Sequence, residues 1–368
     1  MQGKFHNLYL ETTRRCNLNC PYCSSGSQRK IDKKDLTFKQ IVDRILIPAR
    51  EKVGSNFLTL SGGEFLVRKD AMDILKISEE MGFRLSIVTN GTLMDERFLD
   101  RMEKEINQKP LISLGINSFD DNDQKIREVS LSYTLDLIDR LQNRGIPINI
   151  SATMGRFNAD TFHDTLKQFS EMGLPFNRIP FTPRNTNQRN LMFDKELLKN
   201  KLHPALNDLY KGYVSFIPFF LDPEYYKLKT GQSFEDISVP TNPSVGCWVG
   251  SFYAVTPDGE VSPCPLLGDH VSGGNVLNED LSDILFKSEL FTKITDRNNL
   301  KGKCGKCKYR YTCGGCRVMA YYLTGDVFAE DPTCFIDELS DDELEKLEKQ
   351  TKANFRKYYM MAKMGGGF

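Results

Sequence analysis

Short apolar or β-branched runs alternate with helical periods from residue 5 to about 183, and this alternation restricts the architecture of the 368-residue chain more than any other feature. Strands are expected over 8–12, 57–61, 84–89, 111–116, 146–153 and 176–181, each bounded by Gly, Pro or Asn. Helical periods lie between them, over 38–50, 71–81, 96–106, 133–143 and 161–172. Ile74, Leu75, Ile77 and Met81 make one apolar side of the second, and Phe162, Leu166, Phe169 and Met172 do so in the last. Thr37, Asp95 and Asp160 stand where N-caps belong, and Gly82, Gly145 and Gly173 where helices stop. Each crossover needs a helix, so the strands run parallel. With right-handed connections they curl into a barrel or form an open doubly wound sheet, and periodicity admits both.

The ten cysteines fall in two fields. Cys16, Cys20 and Cys23 directly follow the first strand. Cys247, Cys264, Cys304, Cys307, Cys313, Cys316 and Cys334 come much later, with none in between. In a reducing cytosol such clustering argues for metal rather than disulfides. Three thiolates are one short of a closed tetrahedral zinc site, and an iron–sulfur cubane on three cysteines has one iron open. Lys+Arg and Asp+Glu are both 49, a formal net charge of +0, so nothing suggests a nucleic-acid or anionic-membrane partner. There is no apolar run of transmembrane length and no signal-peptide core at Met1, so a soluble, cytoplasmic protein is expected.

Cys16-x3-Cys20-x2-Cys23, with Tyr22 before the third cysteine, resembles the signature of radical S-adenosylmethionine (radical SAM) enzymes. The resemblance implies a partial (β/α)6 barrel with its chemistry on loops after the C-terminal ends of the strands. It also implies a 4Fe–4S cluster on these three cysteines, whose free iron takes the amino and carboxylate groups of SAM. Gly62-Gly63-Glu64 after the second strand resembles the family's GGE motif, which receives the SAM ammonium. Phe65 stands where the family usually has proline. Thr89-Asn90-Gly91 matches the turn near the SAM ribose. Asn117 stands for a family aspartate, and Arg127 falls where an arginine pairs with the SAM carboxylate. Ser151 is the fifth strand's choice for a ribose or carboxylate contact. Structural alternatives stand beside these: a solvated arginine, and a strand-end hydroxyl satisfying backbone.

In the second half, 184–190 reads as a polar linker and 194–211 as a helix. The aromatics Phe216, Phe219, Phe220, Tyr225 and Tyr226 are read as packing between two domains rather than as a substrate channel. A hairpin turning at Asp258-Gly259 precedes Cys264. Paired Cys-x2-Cys elements suit a metal knuckle, zinc or iron–sulfur. The whole pattern resembles the SPASM extension of radical SAM enzymes, which holds two auxiliary iron–sulfur clusters. The resemblance gives Cys247, Cys264 and Cys316 to the first, and Cys304, Cys307, Cys313 and Cys334 to the second. No further cysteine lies between Cys247 and Cys264, so the first has an open iron or a non-cysteine ligand. The expected domains are 1–183, the barrel; 184–246, a bridge; 247–338, the SPASM domain; and 339–368, a charged helix capped by Ser340 and Glu343, with a flexible Gly365-Gly366-Gly367 end. The resemblance covers nearly the whole chain and leaves no room for the N-terminal leader-binding domain of many peptide-modifying relatives.

The implied cofactors are therefore three iron–sulfur clusters, one binding SAM and two auxiliary, together with SAM itself. The implied activity is reductive cleavage of SAM to a 5′-deoxyadenosyl radical, fed by a reducing partner such as flavodoxin or ferredoxin. The favoured substrate is a peptide or protein side chain, for cross-linking, thioether formation or oxidation. The alternative is a small molecule, as in haem or other cofactor biosynthesis; the stretch around Cys313-Gly314-Gly315-Cys316-Arg317 resembles SPASM enzymes of both pyrroloquinoline quinone and haem biosynthesis. A non-catalytic iron–sulfur carrier or zinc scaffold needs neither Gly62-Gly63-Glu64 nor Asn90. Pro265 replaces the aspartate that anaerobic sulfatase maturases carry there, which argues against that activity.

Overall fold

The computed structural model describes residues 5–23, 35–119, 127–183, 186–208, 217–231, 246–268 and 270–363. Six strands follow the expected order: β1 (Asn7–Glu11), β2 (Phe57–Ser61), β3 (Arg84–Thr89), β4 (Leu111–Gly115), β5 (Ile148–Met154) and β6 (Phe176–Pro180). All five pairings among them are parallel. The helices between them include α1 (Phe38–Ile41, continuing in wider turns over Val42–Leu46 and Ala49–Val53), α2 (Ala71–Glu80), α3 (Glu96–Glu105), α4 (Leu131–Asn143) and α5 (Phe162–Glu171).

The alternation within each strand explains why the sheet curls with a polar inside. Leu8 and Leu10, Leu58 and Leu60, Leu85 and Ile87 are buried against the helices, as are Ile74, Leu75, Leu99, Leu137 and Leu166 on the facing sides. The other face carries Tyr9 and Glu11, Thr59 and Ser61, Ser113, Asn149 and Ser151. Tyr9 is half-buried and its hydroxyl donates to Ser61 Oγ at 2.8 Å, while desolvation pushes the phenol above its ordinary range.

Caps set the helix starts. Thr37 makes a capping box with Gln40, and the side chains of Asp95 and Ser130 accept from Phe98 and Tyr133 backbone N–H. The cap expected at Asp160 is instead Thr161, without a side-chain bond; Asp160 pairs with Lys201. Gly82, Gly145 and Gly173 end their helices at φ +81°, +63° and +69°.

The sheet does not end with the sixth strand. It has eight strands in the order β6-β5-β4-β3-β2-β1-β7-β8. β7 (Phe252–Val255) lies parallel to β1, and β8 (Val261–Ser262) closes the expected hairpin beside it. The cysteine-rich half thus shares backbone hydrogen bonds with the barrel. Phe5 reinforces this join, packing edge-on against Tyr253 and Phe291 at 5.8 Å. The aromatics expected to pack do so: Phe219 and Phe220 are buried, and Phe220 meets Tyr309 at 5.5 Å and Phe335 at 5.9 Å. Phe216, most of the bridge after 208, and Gly365-Gly366-Gly367 lie outside the described residues. After α6 (Arg317–Thr324) the charged helix is α7 (Asp341–Lys363), opened by the reciprocal bonds of Ser340 and Glu343.

Candidate functional site

The loop that leaves β1 carries the first three cysteines across the C-terminal ends of its neighbours. Thr12 N–H donates to Ser61 O at 2.8 Å, Gly63 N–H to Thr13 O at 2.6 Å, and Glu64 N–H to Arg15 O at 2.9 Å. Gly62 sits at φ +148°, and a Cβ there would lie 2.6 Å from Thr13 O. The glycine is therefore required for two loops to touch, whatever ligand approaches it.

Glu64 is 0% exposed. Its carboxylate accepts from Leu66 N–H at 3.0 Å, from the Thr89 hydroxyl at 2.9 Å and from Asn90 N–H at 2.8 Å. Burial raises its pKa, and these donors oppose the rise. The carboxylate thus ties the end of β2 to the end of β3. Asn90 carries the tie onward. Its Nδ2 donates to Asn17 Oδ1 at 2.9 Å and lies 3.8 Å from Cys16 Sγ, while its Oδ1 accepts from Thr92 N–H at 2.9 Å. Asn17 in turn donates to Thr92 Oγ1 at 2.7 Å.

On the far side of the loop, Cys20 Sγ meets Arg127 O at 3.6 Å and Asn19 N–H donates to Glu128 at 3.2 Å. The Arg127 guanidinium is buried and lies over β4, where a Cβ on Gly115 would be 3.3 Å from it. Ser151 is opposite Gly115 in the sheet register, so Arg127 and Ser151 share one neighbourhood. Asn117 is 1% exposed and its Oδ1 accepts from Thr153 N–H at 2.8 Å, which joins the ends of β4 and β5. The structure therefore brings Glu64, Asn90 and Arg127 around the three cysteines. Asn17 and Thr92, which complete the Asn90 contact, carry no signal in the sequence.

The gathered thiols act on one another. Burial pushes Cys16 up to about 11, with Glu64, Cys23 and Cys20 adding to the rise. Burial also raises Cys20, and Arg127 opposes it. The seven later cysteines also act on one another, and Cys247 N–H donates to Cys313 O at 2.8 Å. Cys264 is raised by burial and by Cys247 and Cys316, and Cys316 goes up to about 12 through burial, Asp331 and Cys247. Cys313 is raised by burial, Cys334 and Cys304, and burial pushes Cys334 up to about 12, with Asp331 and Cys304 adding to the rise. Cys307 is raised by burial, with Cys304 adding to it. Only Gly314 and Gly315 separate Cys313 from Cys316, the two cysteines that the SPASM resemblance gives to different clusters.

This donor set fits iron–sulfur clusters. Backbone N–H groups point at the sulfurs: Leu18 at Cys16 Sγ (3.4 Å), Asp331 at Cys304 Sγ (3.3 Å), Tyr309 at Cys307 Sγ (3.4 Å) and Phe219 at Cys313 Sγ (3.3 Å). Hydrogen bonds of this kind tune cluster potentials.

Residues 10–169 match the Radical SAM superfamily, and residues 247–308 match SPASM, an iron-sulfur cluster-binding domain. Curated relatives include an AdoMet-dependent heme synthase of Methanosarcina barkeri, 28% identical over 337 residues that cover 88% of this chain and 94% of that protein. A PqqA peptide cyclase of Bradyrhizobium diazoefficiens is 24% identical, with 97% of this chain and 93% of that protein covered. Among solved structures, Streptococcus suis SuiB bound to S-adenosylmethionine superposes with a TM-score of 0.64 at 17% identity, over 90% of this chain and 77% of that one; the likeness is one of fold. Two domain matches, relatives along the chain's length and a cysteine loop at the C-terminal mouth of a parallel half-barrel agree: the chain is a radical SAM enzyme with a SPASM iron–sulfur domain.

Proposed function

We propose that this enzyme uses SAM and reducing equivalents to abstract hydrogen from a peptide or protein side chain. The observation that carries the SAM half is the placement of Cys16, Cys20 and Cys23 beside Asn90 and Arg127 at one end of the barrel. These three cysteines would hold the SAM-binding cluster, and Cys247, Cys264 and Cys316 with Cys304, Cys307, Cys313 and Cys334 the two auxiliary ones. When bound, cluster and SAM together supply a 5′-deoxyadenosyl radical that removes a hydrogen atom from an unactivated carbon. The chain's own residues orient and shield. Asn90 and Asn17 hold the cysteine loop against β3, and Glu64 fixes Asn90 from below. Arg127 offers a fixed positive charge for a carboxylate, and Ser151 a hydroxyl across the same opening. The sheet, extended past β1 by β7 and β8, would wall one side of the radical from water. A flavodoxin or ferredoxin is the proposed electron source.

The peptide substrate is supported by the PqqA peptide cyclase relatives, matched along 97% of this chain in one instance. A tetrapyrrole substrate is the second reading, favoured by the 28% identity to a heme synthase over 337 residues. Anaerobic turnover with dithionite and SAM separates them. Peptides encoded beside the gene, and a propionate-bearing tetrapyrrole, are each offered and followed by mass spectrometry. Loss of hydrogens from a peptide supports the first reading; change in the tetrapyrrole alone transfers the assignment to the second.

A further inference from the structure

Two arginines are buried between the two auxiliary cysteine groups, and no part of the SAM chemistry uses them. Arg297 is 3% exposed and Arg317 is 2% exposed. Arg297 donates to Arg310 O at 3.2 Å, Tyr311 O at 2.5 Å and Cys247 O at 2.6 Å. Arg317 donates to Val327 O at 3.1 Å and Ala329 O at 2.6 Å, and its Nη2 is 3.8 Å from Cys304 Sγ. Asp331, 0% exposed, shares the Gly315 neighbourhood with Arg317, while Arg297 is held by carbonyl oxygens; buried cations so placed are costly unless negative charge lies near them.

The glycines between Cys313 and Cys316 show that this placement is built in. A Cβ on Gly314 (φ +74°) would lie 2.8 Å from the Arg297 guanidinium carbon. One on Gly315 (φ +60°) would lie 2.6 Å from Arg317 Nη2 and 2.8 Å from Cys304 Sγ. Each glycine thus makes room for one guanidinium. The chain crosses from one cysteine group to the other along Gly314-Gly315, with the arginines beside the crossing. Arg297 is the member that faces both groups: it holds the Cys247 carbonyl, and the Cys247, Cys313 and Cys304 thiols all act on its charge.

We propose that Arg297 is a shared electrostatic bridge between the two auxiliary clusters, raising both reduction potentials, and that Arg317 does the same chiefly for the cluster on Cys304. A thiolate-ligated cluster is a net anion, and one more electron is easier to add beside a fixed cation in a low-dielectric interior. The same charge offsets the repulsion between two anionic clusters held by one short loop. This rests on the reading that both cysteine groups hold clusters.

The test uses anaerobically reconstituted full-length protein, with iron and sulfide counted per chain and potentials read by electron paramagnetic resonance titration. R297Q keeps a hydrogen-bonding side chain and removes the charge; R297K keeps the charge and loses the fork. The expected result is full iron in both. Both auxiliary potentials are expected to move to more negative values in R297Q, to stay near wild type in R297K, and the Cys16–Cys20–Cys23 cluster to be unmoved in either. In R317Q the Cys304 cluster is expected to shift more than its neighbour. Fully loaded R297Q with unmoved potentials, or with only one moved, overturns the bridge. Iron lost from both glutamine variants and retained in both R297K and R317K supports a required charge; iron lost from all four overturns it in favour of a packing role. Wild-type iron sufficient for one cluster alone removes the underlying reading, and the iron count reports that before any potential is measured.

Discussion

Asn90 Nδ2 donates to Asn17 Oδ1 at 2.9 Å, so the turn after the third strand grips the residue next to the first cysteine. The cysteine loop is therefore positioned by a neighbouring strand, through a side chain that also comes within 3.8 Å of Cys16 Sγ. Removing groups that orient metal ligands commonly costs 10–100-fold in affinity or activity. Asn90→Ala is expected to slow 5′-deoxyadenosine formation by roughly that factor. The auxiliary cluster signals should remain. Unchanged SAM cleavage would mean that the grip is incidental.

Metal content is the most direct check on the cysteine assignments. Reconstituted protein should hold three clusters, and Cys16→Ala, Cys20→Ala and Cys23→Ala together should remove one. Cys20→Ala alone should abolish 5′-deoxyadenosine formation from dithionite and SAM. Stoichiometric zinc with little iron in anaerobically purified protein would refute the whole scheme.

The group of Cys247, Cys264 and Cys316 has one cysteine fewer than a closed cluster. An iron without a protein thiolate is open to an external ligand, including a substrate thiol. In a variant lacking the other two clusters, the remaining signal is expected to change when a small thiol is added. A spectrum indifferent to thiols, or a structure with four protein ligands on that cluster, would give it a role confined to electron transfer or support.

His203 supplies a pH test outside the redox centres. It is 2% exposed, with Nε2 3.2 Å from Pro218 O and Nδ1 3.4 Å from Asn207 Nδ2. Burial, and to a smaller extent the charge of Arg178, lowers its pKa from 6.5 to about 4, against the opposing bond to Pro218. A depressed histidine stays neutral in the fold while the unfolded chain protonates. Its contribution is fully present above 6.5 and is lost as pH falls from 6.5 towards about 4. The loss amounts to about 3 kcal/mol. Denaturation curves of wild type and His203→Gln should converge over that window. Parallel curves would show that His203 does not titrate as described.

Glu64 gives a packing test at the active end. Glu64→Ala would leave Asn90 N–H and the Thr89 hydroxyl without their buried acceptor, at a cost of about 1–3 kcal/mol for each group left unsatisfied. Thermal melts of the apoprotein should register that loss even without SAM. A melting temperature equal to wild type would mean that water or a moved side chain replaces the carboxylate.

The succession of strands along the chain, the helices between them and the glycine stops were legible, because period, caps and breakers act over a few neighbouring residues. So was the candidate chemistry: thiols cannot be scattered at Cys16-x3-Cys20-x2-Cys23 without a reason, and Gly62-Gly63-Glu64 and Thr89-Asn90-Gly91 sit at strand ends where parallel sheets place their sites. The role of Glu64 was legible only in part. Its motif marks the place, but its complete burial against Thr89 and Asn90 follows from how two loops meet.

Three features needed the folded chain. That β7 extends the barrel sheet was not legible, since residues 252–255 read as half of a local hairpin and pair with β1 across more than two hundred residues of sequence. The Asn17–Thr92–Asn90 lock joins residues of ordinary polar type from two loops. Arg297 lies in a run, Asp296-Arg297-Asn298-Asn299, that looks solvated, yet it is buried beside Cys247. Sequence by itself determined which residues form elements and which carry reactive groups, because both are written in local pattern and residue chemistry. Tertiary structure alone decided which charges are buried among the cysteines and which loops grip the first three, because burial and electrostatic coupling depend on distances that only long-range packing sets.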